Sequence, residues 1–183
     1  MPLFTSPREK RLWFYAILVL IAILSTLVFG QPLVRILDNQ DIQAAIFMIG
    51  MALIGATVLL YGLNTQPSKT EITIWLGLTA VYLLFFLRLG LAERSHLIEY
   101  SVLAIFIHRA LIERAGQKNQ VLKTALFAFV FTFLIGVIDE SIQIFLPSRI
   151  FDPLDILFNG LASFMAIGSS VAIRSVRKNI SKQ

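Results

Sequence analysis

The strongest constraint on the fold of this chain is its series of apolar segments, each close to 20 residues long. A hydrocarbon core about 30 Å thick is crossed by about 20 helical residues at roughly 1.5 Å each. Such segments occur at 12–29, 42–62, 72–89, 96–112, 121–145 and 154–173. We therefore expect an all-α, polytopic membrane bundle of about six transmembrane helices, forming one domain over residues 1–183.

The composition agrees with a membrane protein and excludes other classes. Of 183 residues, 57% are hydrophobic and 15% are charged, and the mean hydropathy is +0.78. These values are typical of polytopic membrane proteins. The chain has no cysteine, which excludes disulfides, thiolate metal sites and a cysteine nucleophile. Two histidines are too few for a zinc cluster, so we expect neither a metal nor a cofactor.

The basic residues predict the orientation of the helices. The net charge of +5 comes from Lys and Arg next to the apolar runs, a distribution that encodes topology and argues against nucleic-acid binding. With six spans, 12 of the 16 Lys and Arg lie on the side of the termini. The positive-inside rule then places both termini in the cytoplasm, in a multi-pass protein of the plasma membrane. This orientation depends on the fourth segment, because the loops after it would change sides if it did not span.

A polar hinge at 136–160 separates the last two apolar segments. Polar side chains near hydrocarbon cost several kcal/mol unless they are paired or hydrated, so their clustering indicates a functional site. From Val121 to Asp139 the helix rises about 27 Å, which places the hinge near the outer surface. The polar residues of the hinge are Asp139, Glu140, Gln143, Arg149, Asp152, Asp155 and Asn159.

Polar side chains on three helices are expected to meet at this depth. Residues three or four apart lie on one face of a helix. This spacing joins Glu140 to Gln143 and Asp155 to Asn159, and it recurs at the outer end of the fourth segment. The resulting candidates for ligand binding are His96, Glu99, Tyr100, Glu140, Gln143, Arg149, Asp155 and Asn159.

The spacing of these residues resembles that of a known family. The chain reads RSHLIEY at 94–100, ESIQ at 140–143, PSR at 147–149 and DPLDILFNG at 152–160. In these motifs it resembles the VanZ-like family of membrane proteins over residues 93–160, whereas the first three helices match only in hydropathy. The resemblance implies a place in the cell envelope and a link with low-level resistance to the glycopeptide antibiotic teicoplanin. It implies no particular reaction.

Some of the acidic and polar residues are also explained by helix capping. Asp152 and Asp155 have the spacing of a capping box, with Pro153 at the first helical position and a carboxylate near the positive end of the helix dipole. Ser68 and Glu71 form a similar box before the third segment. Part of the acidity of the hinge is therefore structural under this interpretation.

Helix capping does not explain Glu99 and Glu140. An ion pair with Arg149 or Arg94 would lock helices together, since a guanidinium binds a carboxylate bidentately. The same guanidinium would equally bind a lipid phosphate or a peptide carboxylate. Simpler roles as interfacial anchors or interhelical hydrogen-bonding groups are open to His96, Tyr100 and Asn159.

Two functions from different classes fit these residues. In the first, Arg149 binds an anionic group of a membrane lipid, a cell-wall precursor or a glycopeptide, and Glu99, Glu140 and Gln143 orient it. In the second, Glu99 and Glu140 are the catalytic acid and base of a membrane-embedded hydrolase or transferase. The chain has no recognisable serine nucleophile or metal set, and the shallow depth argues against a transporter. The sequence leaves the oligomeric state open.

Cysteine labelling tests the orientation directly, because the chain has no cysteine of its own. We expect Ser148→Cys to react with an impermeant thiol reagent added to intact cells. Gln117→Cys should react only after the membrane is permeabilised. The labelling is measured as a mass shift, and the reverse pattern would contradict the predicted orientation.

Overall fold

The structure, a computed structural model, describes residues 4–37, 42, 45, 67–88, 91–116, 120–147 and 149–180. The regular elements in these ranges are all α-helices. They are α1 (Pro7–Leu37), α2 (Lys69–Arg88), α3 (Leu91–Ala115), α4 (Val121–Gln143) and α5 (Pro153–Ile180). The predicted span at 42–62 lies outside the described residues, apart from Ile42 and Ala45.

Four candidate spans within the described residues make this chain a multi-pass membrane protein. By length and composition, the helices Pro7–Leu27, Ser95–Ala115, Val121–Gln143 and Pro153–Val176 are long and apolar enough to cross a membrane. The segment Ser95–Ala115 includes the predicted fourth span, on which the orientation depends. The helix α2 corresponds to the predicted third segment and starts three residues earlier than expected.

The interior of the bundle consists largely of small residues, and α3 lies at its centre. The helix α3 packs against α1, α4 and α5, whereas α2 contacts α5 at the periphery. Alanines at the helix contacts are fully buried, including Ala104, Ala128 and Ala162. Small residues let helix backbones approach closely in a bilayer. Many large apolar side chains point outward, although Ile23, Tyr100, Leu103 and Ile107 are fully buried. The exposed ones include Phe14, Leu76, Leu122, Phe127, Leu157 and Phe164.

One end of the bundle is held by a buried carboxylate near the N-terminus. Glu9 is fully buried and accepts hydrogen bonds from the backbone N and the hydroxyl of Thr5, at 2.6 and 2.7 Å. Arg114, in the last turn of α3, lies 3.4 Å from the same carboxylate, and Ser6 donates to Glu113 at 3.0 Å. The start of α1 is thus attached to the end of α3, so these two helices are antiparallel. We call this region the opposite end, because it lies at the end of the bundle away from the polar hinge at 136–160.

The helix ends follow local capping rules. The predicted box before α2 is confirmed, because Ser68 and Glu71 exchange side-chain to backbone hydrogen bonds of 3.1 and 3.2 Å. The helix α3 ends at Gly116, whose φ of +60° lies in the left-handed region that glycine adopts without strain. This residue reverses the chain toward α4.

A second glycine permits the close approach of three helices. A Cβ atom added to Gly136 of α4 would lie 3.0 Å from the Cβ of Asn159 in α5 and 3.3 Å from the ring of Tyr100 in α3. Gly168 of α5, in contrast, has no such neighbour within 4 Å in the described part of the chain. The two positions form a matched pair for substitution.

We expect Gly136→Ala to lower the free energy of unfolding by about 1–3 kcal/mol, the usual effect of overpacking a tight contact. Gly168→Ala should cause no loss, because alanine favours a helix and meets no obstacle there. Thermal unfolding of the purified variants in one detergent measures both effects. Equal unfolding temperatures for the two variants would contradict the close approach at Gly136.

Candidate functional site at the polar end of the bundle

The carboxylate of Glu140 joins α4 to the start of α5. Its side chain is fully buried. Within α4, its Oε2 accepts a hydrogen bond of 2.7 Å from Nε2 of Gln143. Its Oε1 accepts a bond of 2.9 Å from the backbone N of Asp152. Because Asp152 directly precedes α5, this bond fixes where α5 begins relative to the end of α4.

The predicted capping box of α5 is therefore completed by a residue from another helix. Asp152 caps α5 as expected, with its Oδ1 accepting a bond of 2.8 Å from the backbone N of Leu154. In a standard box the third helical residue, here Asp155, would bind the N–H of the cap. Glu140 binds that N–H, and Oδ2 of Asp155 lies 3.6 Å from Nε2 of His96. Asp155 thus links α5 to α3.

A second buried pair links α3 to α4. The hydroxyl of Tyr100 donates a 2.9 Å hydrogen bond to Oδ2 of Asp139, and both side chains are buried. The sequence predicts no separate role for Asp139, and it allows Tyr100 either in the ligand site or at the membrane interface. One feature of the sequence could have indicated this pair. Gly136 leaves room for the ring of Tyr100, and Asp139 lies one helical turn further along the same face of α4.

Two buried side chains at this end of the bundle, Asp139 and Asn159, have hydrogen-bonding atoms without a partner in the described residues. Oδ1 of Asp139 has no hydrogen-bond partner within the described part of the chain. Neither atom of the Asn159 amide has one there either, although Asn159 is fully buried against Gly136. A buried polar atom without a partner is costly, so each such atom points to an interaction with a further group.

The more accessible side of the polar end is formed by partly buried charged residues. The side chains of His96 and Asp155 are 14% and 19% exposed, and the ring of His96 stacks on Tyr100 with 6.2 Å between centroids. Glu99 is half-buried and interacts electrostatically with His96 and Asp139. We use the name polar end for these groups together with the Glu140 and Asp139 pairs.

Arg149 connects the hinge to α1. Its Nη2 donates a hydrogen bond to the backbone carbonyl of Thr26, and the side chain is half-buried. Its positive charge acts on Glu99 and on Asp139. Within the described ranges it makes no ion pair with Glu140, which is the pairing that the sequence allowed. The side chain of Arg94 lies outside the described side chains.

The structure brings all eight predicted site residues to one end of the bundle but divides them by role. Glu140 and Gln143 are engaged with each other and with the main chain. The described residues contain no group of three or more His, Asp or Glu side chains arranged to hold a metal ion. The groups that remain for ligand binding are therefore the half-buried side chains of Glu99 and Arg149, together with the unpaired atoms of Asp139 and Asn159.

Comparisons of the chain with models of known families, with curated proteins and with solved structures find no significant match. The resemblance to the VanZ-like family therefore rests on the motifs quoted above, and it stays a prediction.

The role of Glu140 can be tested by paired substitutions. Glu140→Ala removes the acceptor of the Asp152 N–H, and we expect a loss of about 1–3 kcal/mol in the free energy of unfolding. Glu140→Gln keeps an acceptor oxygen for the same N–H, so its loss should be smaller. Ile138→Ala, on the exposed face of α4, serves as the control. Thermal unfolding in detergent ranks the three, and an unchanged Glu140→Ala protein would contradict the bridging role.

Proposed function

We propose that this protein is a VanZ-like protein of the plasma membrane, with six spans, cytoplasmic termini and the polar end at the outer surface. The helix directions support the six-span arrangement. The helix α1 runs toward the polar end, because its Thr26 carbonyl binds Arg149. The first turns of α2 lie at the opposite end, where they line a hollow with Ile173 and Val176 near the end of α5. Two helices that run the same way require the intervening chain to return, and the apolar segment 42–62 has the length to do so.

The proposed activity is recognition of an anionic envelope lipid or of a cell-wall-related ligand. The observation that carries it is Arg149, which is half-buried and donates from one nitrogen to a backbone carbonyl. A guanidinium has five N–H donors in a planar fork, so further donors are available for a phosphate or carboxylate. Binding at the outer surface is consistent with a link to glycopeptide resistance, because these antibiotics and their targets meet there.

Recognition has better support than catalysis. A general base must lie within reach of its substrate, whereas the side chain of Glu140 is fully buried. Both oxygens of Glu140 already accept hydrogen bonds, one from Gln143 and one from the backbone of Asp152. The alternative of a hydrolase or transferase that uses Glu99 and Glu140 therefore has weaker geometric support than a binding role.

Substitution of Arg149 tests the proposal. We expect Arg149→Gln to reduce the amount of anionic phospholipid retained by the purified protein about tenfold, the effect of losing one charged hydrogen bond. Arg149→Lys should retain more, since it keeps the charge. The lipids are extracted and quantified by mass spectrometry, and thermal unfolding shows that each variant remains folded.

The matched control is Lys123→Gln, which removes an exposed positive charge from the first turn of α4, at the opposite end. It should leave lipid retention unchanged. Equal retention by Arg149→Gln and the parent protein would exclude Arg149 from ligand binding.

A further inference from the structure

Among the side chains that the structure describes, the polar end contains more carboxylates than basic groups. Its described basic or titratable nitrogen groups are Arg149 and His96, whereas its carboxylates are Glu99, Asp139, Glu140, Asp152 and Asp155. A ligand with only negative charge would approach an acidic surface, where like charges repel. An anionic group near Arg149 therefore needs a compensating positive charge close by.

Three of the five carboxylates are engaged in contacts at the ends of the helices. Glu140 binds Gln143 and a backbone N–H, Asp152 caps α5, and Asp155 lies beside His96. These contacts hold the ends of the helices together. Two carboxylates remain: Glu99, and Asp139, whose Oδ2 accepts from Tyr100 while its Oδ1 has no partner in the described residues.

Glu99 and Asp139 form an incompletely compensated negative pair. Asp139 acts electrostatically on Glu99, and Arg149 acts on both from a position where its hydrogen bond goes to Thr26. Oδ1 of Asp139 is buried without a hydrogen-bond partner in the described residues. A buried negative charge in this state is stabilised by a cation that also donates hydrogen bonds.

A further polar group without a hydrogen-bond partner packs at the same glycine as Tyr100. Asn159 is fully buried, and its amide has no partner in the described ranges. The side chain of Asn159 and the ring of Tyr100 both meet Gly136, and the hydroxyl of Tyr100 binds Asp139. Asn159 and Asp139 therefore both lie close to Tyr100, and Glu99 directly precedes Tyr100 in the sequence of α3.

We infer that the ligand of the polar end carries a primary ammonium group beside its phosphate, as in the phosphoethanolamine headgroup of a membrane lipid. A primary ammonium has three N–H donors, which match the acceptors on Glu99, Asp139 and Asn159. The phosphate then meets Arg149. This inference rests on the proposed recognition of an anionic group by Arg149, and it narrows the ligand from an anionic lipid to one whose phosphate is accompanied by an ammonium.

The test compares three lipids that share their acyl chains. The purified full-length protein is equilibrated with an equimolar mixture of phosphatidylethanolamine, phosphatidylcholine and phosphatidylglycerol in detergent, and the retained lipids are quantified by mass spectrometry. Phosphatidylcholine keeps the positive charge but lacks N–H donors, and phosphatidylglycerol lacks the cation. We expect phosphatidylethanolamine to be enriched about tenfold over each, the size of one charged hydrogen bond.

The variants separate the ammonium contact from the phosphate contact. Glu99→Gln, at a half-buried position, should bring the ratio of phosphatidylethanolamine to phosphatidylglycerol close to one. Asp139→Asn should do the same while it keeps an acceptor for the Tyr100 hydroxyl. Arg149→Gln should lower retention of all three lipids, and Lys123→Gln should change none.

The outcomes distinguish this inference from the proposed function. Equal retention of phosphatidylethanolamine and phosphatidylcholine, or preference for phosphatidylglycerol, would overturn the ammonium contact even if Arg149 proved necessary. Lipid retention that is independent of Arg149 would overturn the proposed function itself. Competition by soluble O-phosphoethanolamine but not by phosphocholine would support the ammonium contact and show that the headgroup alone is recognised, whereas equal competition by both would contradict it.

Discussion

The arrangement of the polar end depends on one buried carboxylate that binds the main chain of the next helix. In hydrocarbon, a backbone N–H at a helix start cannot turn to water and must find a partner within the protein. Glu140 supplies that partner to Asp152 and is itself held by Gln143. The start of α5 is thereby fixed beside the end of α4, which is what places Asn159 against Gly136.

The opposite end uses the same physical device with different residues. Glu9 is also fully buried, and it accepts the backbone N–H of Thr5 near the start of α1 while Arg114 of α3 approaches it. A carboxylate near the start of a helix also meets the positive end of the helix dipole. Between the two carboxylates the helices meet through alanines such as Ala104 and Ala128. Alanines allow close packing but carry no group that can bind a ligand through charge or hydrogen bonds. The chemically distinctive groups are therefore concentrated at the ends.

Much of this architecture could be predicted from local properties of the chain. Length and hydropathy located α2 to α5 to within a few residues at most ends, and α1 by its apolar part, because a helix must bury its own backbone polar groups across the bilayer. The capping box formed by Ser68 and Glu71 was also predictable, because its two partners lie within one helical turn. The roles of Asp139 and Tyr100 were not, because their hydrogen bond joins two helices.

The sequence by itself determined that the described segments are helical and where their apolar parts lie, since these depend on spacing along one chain. Only the tertiary structure decided how the polar residues divide among roles. The packing of α3 against α4 and α5 brings Tyr100 into contact with Asp139, and His96 into contact with Asp155. The path of the hinge brings the backbone of Asp152 to Glu140, and Arg149 to the carbonyl of Thr26. Helical periodicity fixes a face but not its neighbour. The acidic residues with accessible or unpaired oxygens, Glu99 and Asp139, therefore emerge only when the helices are packed together.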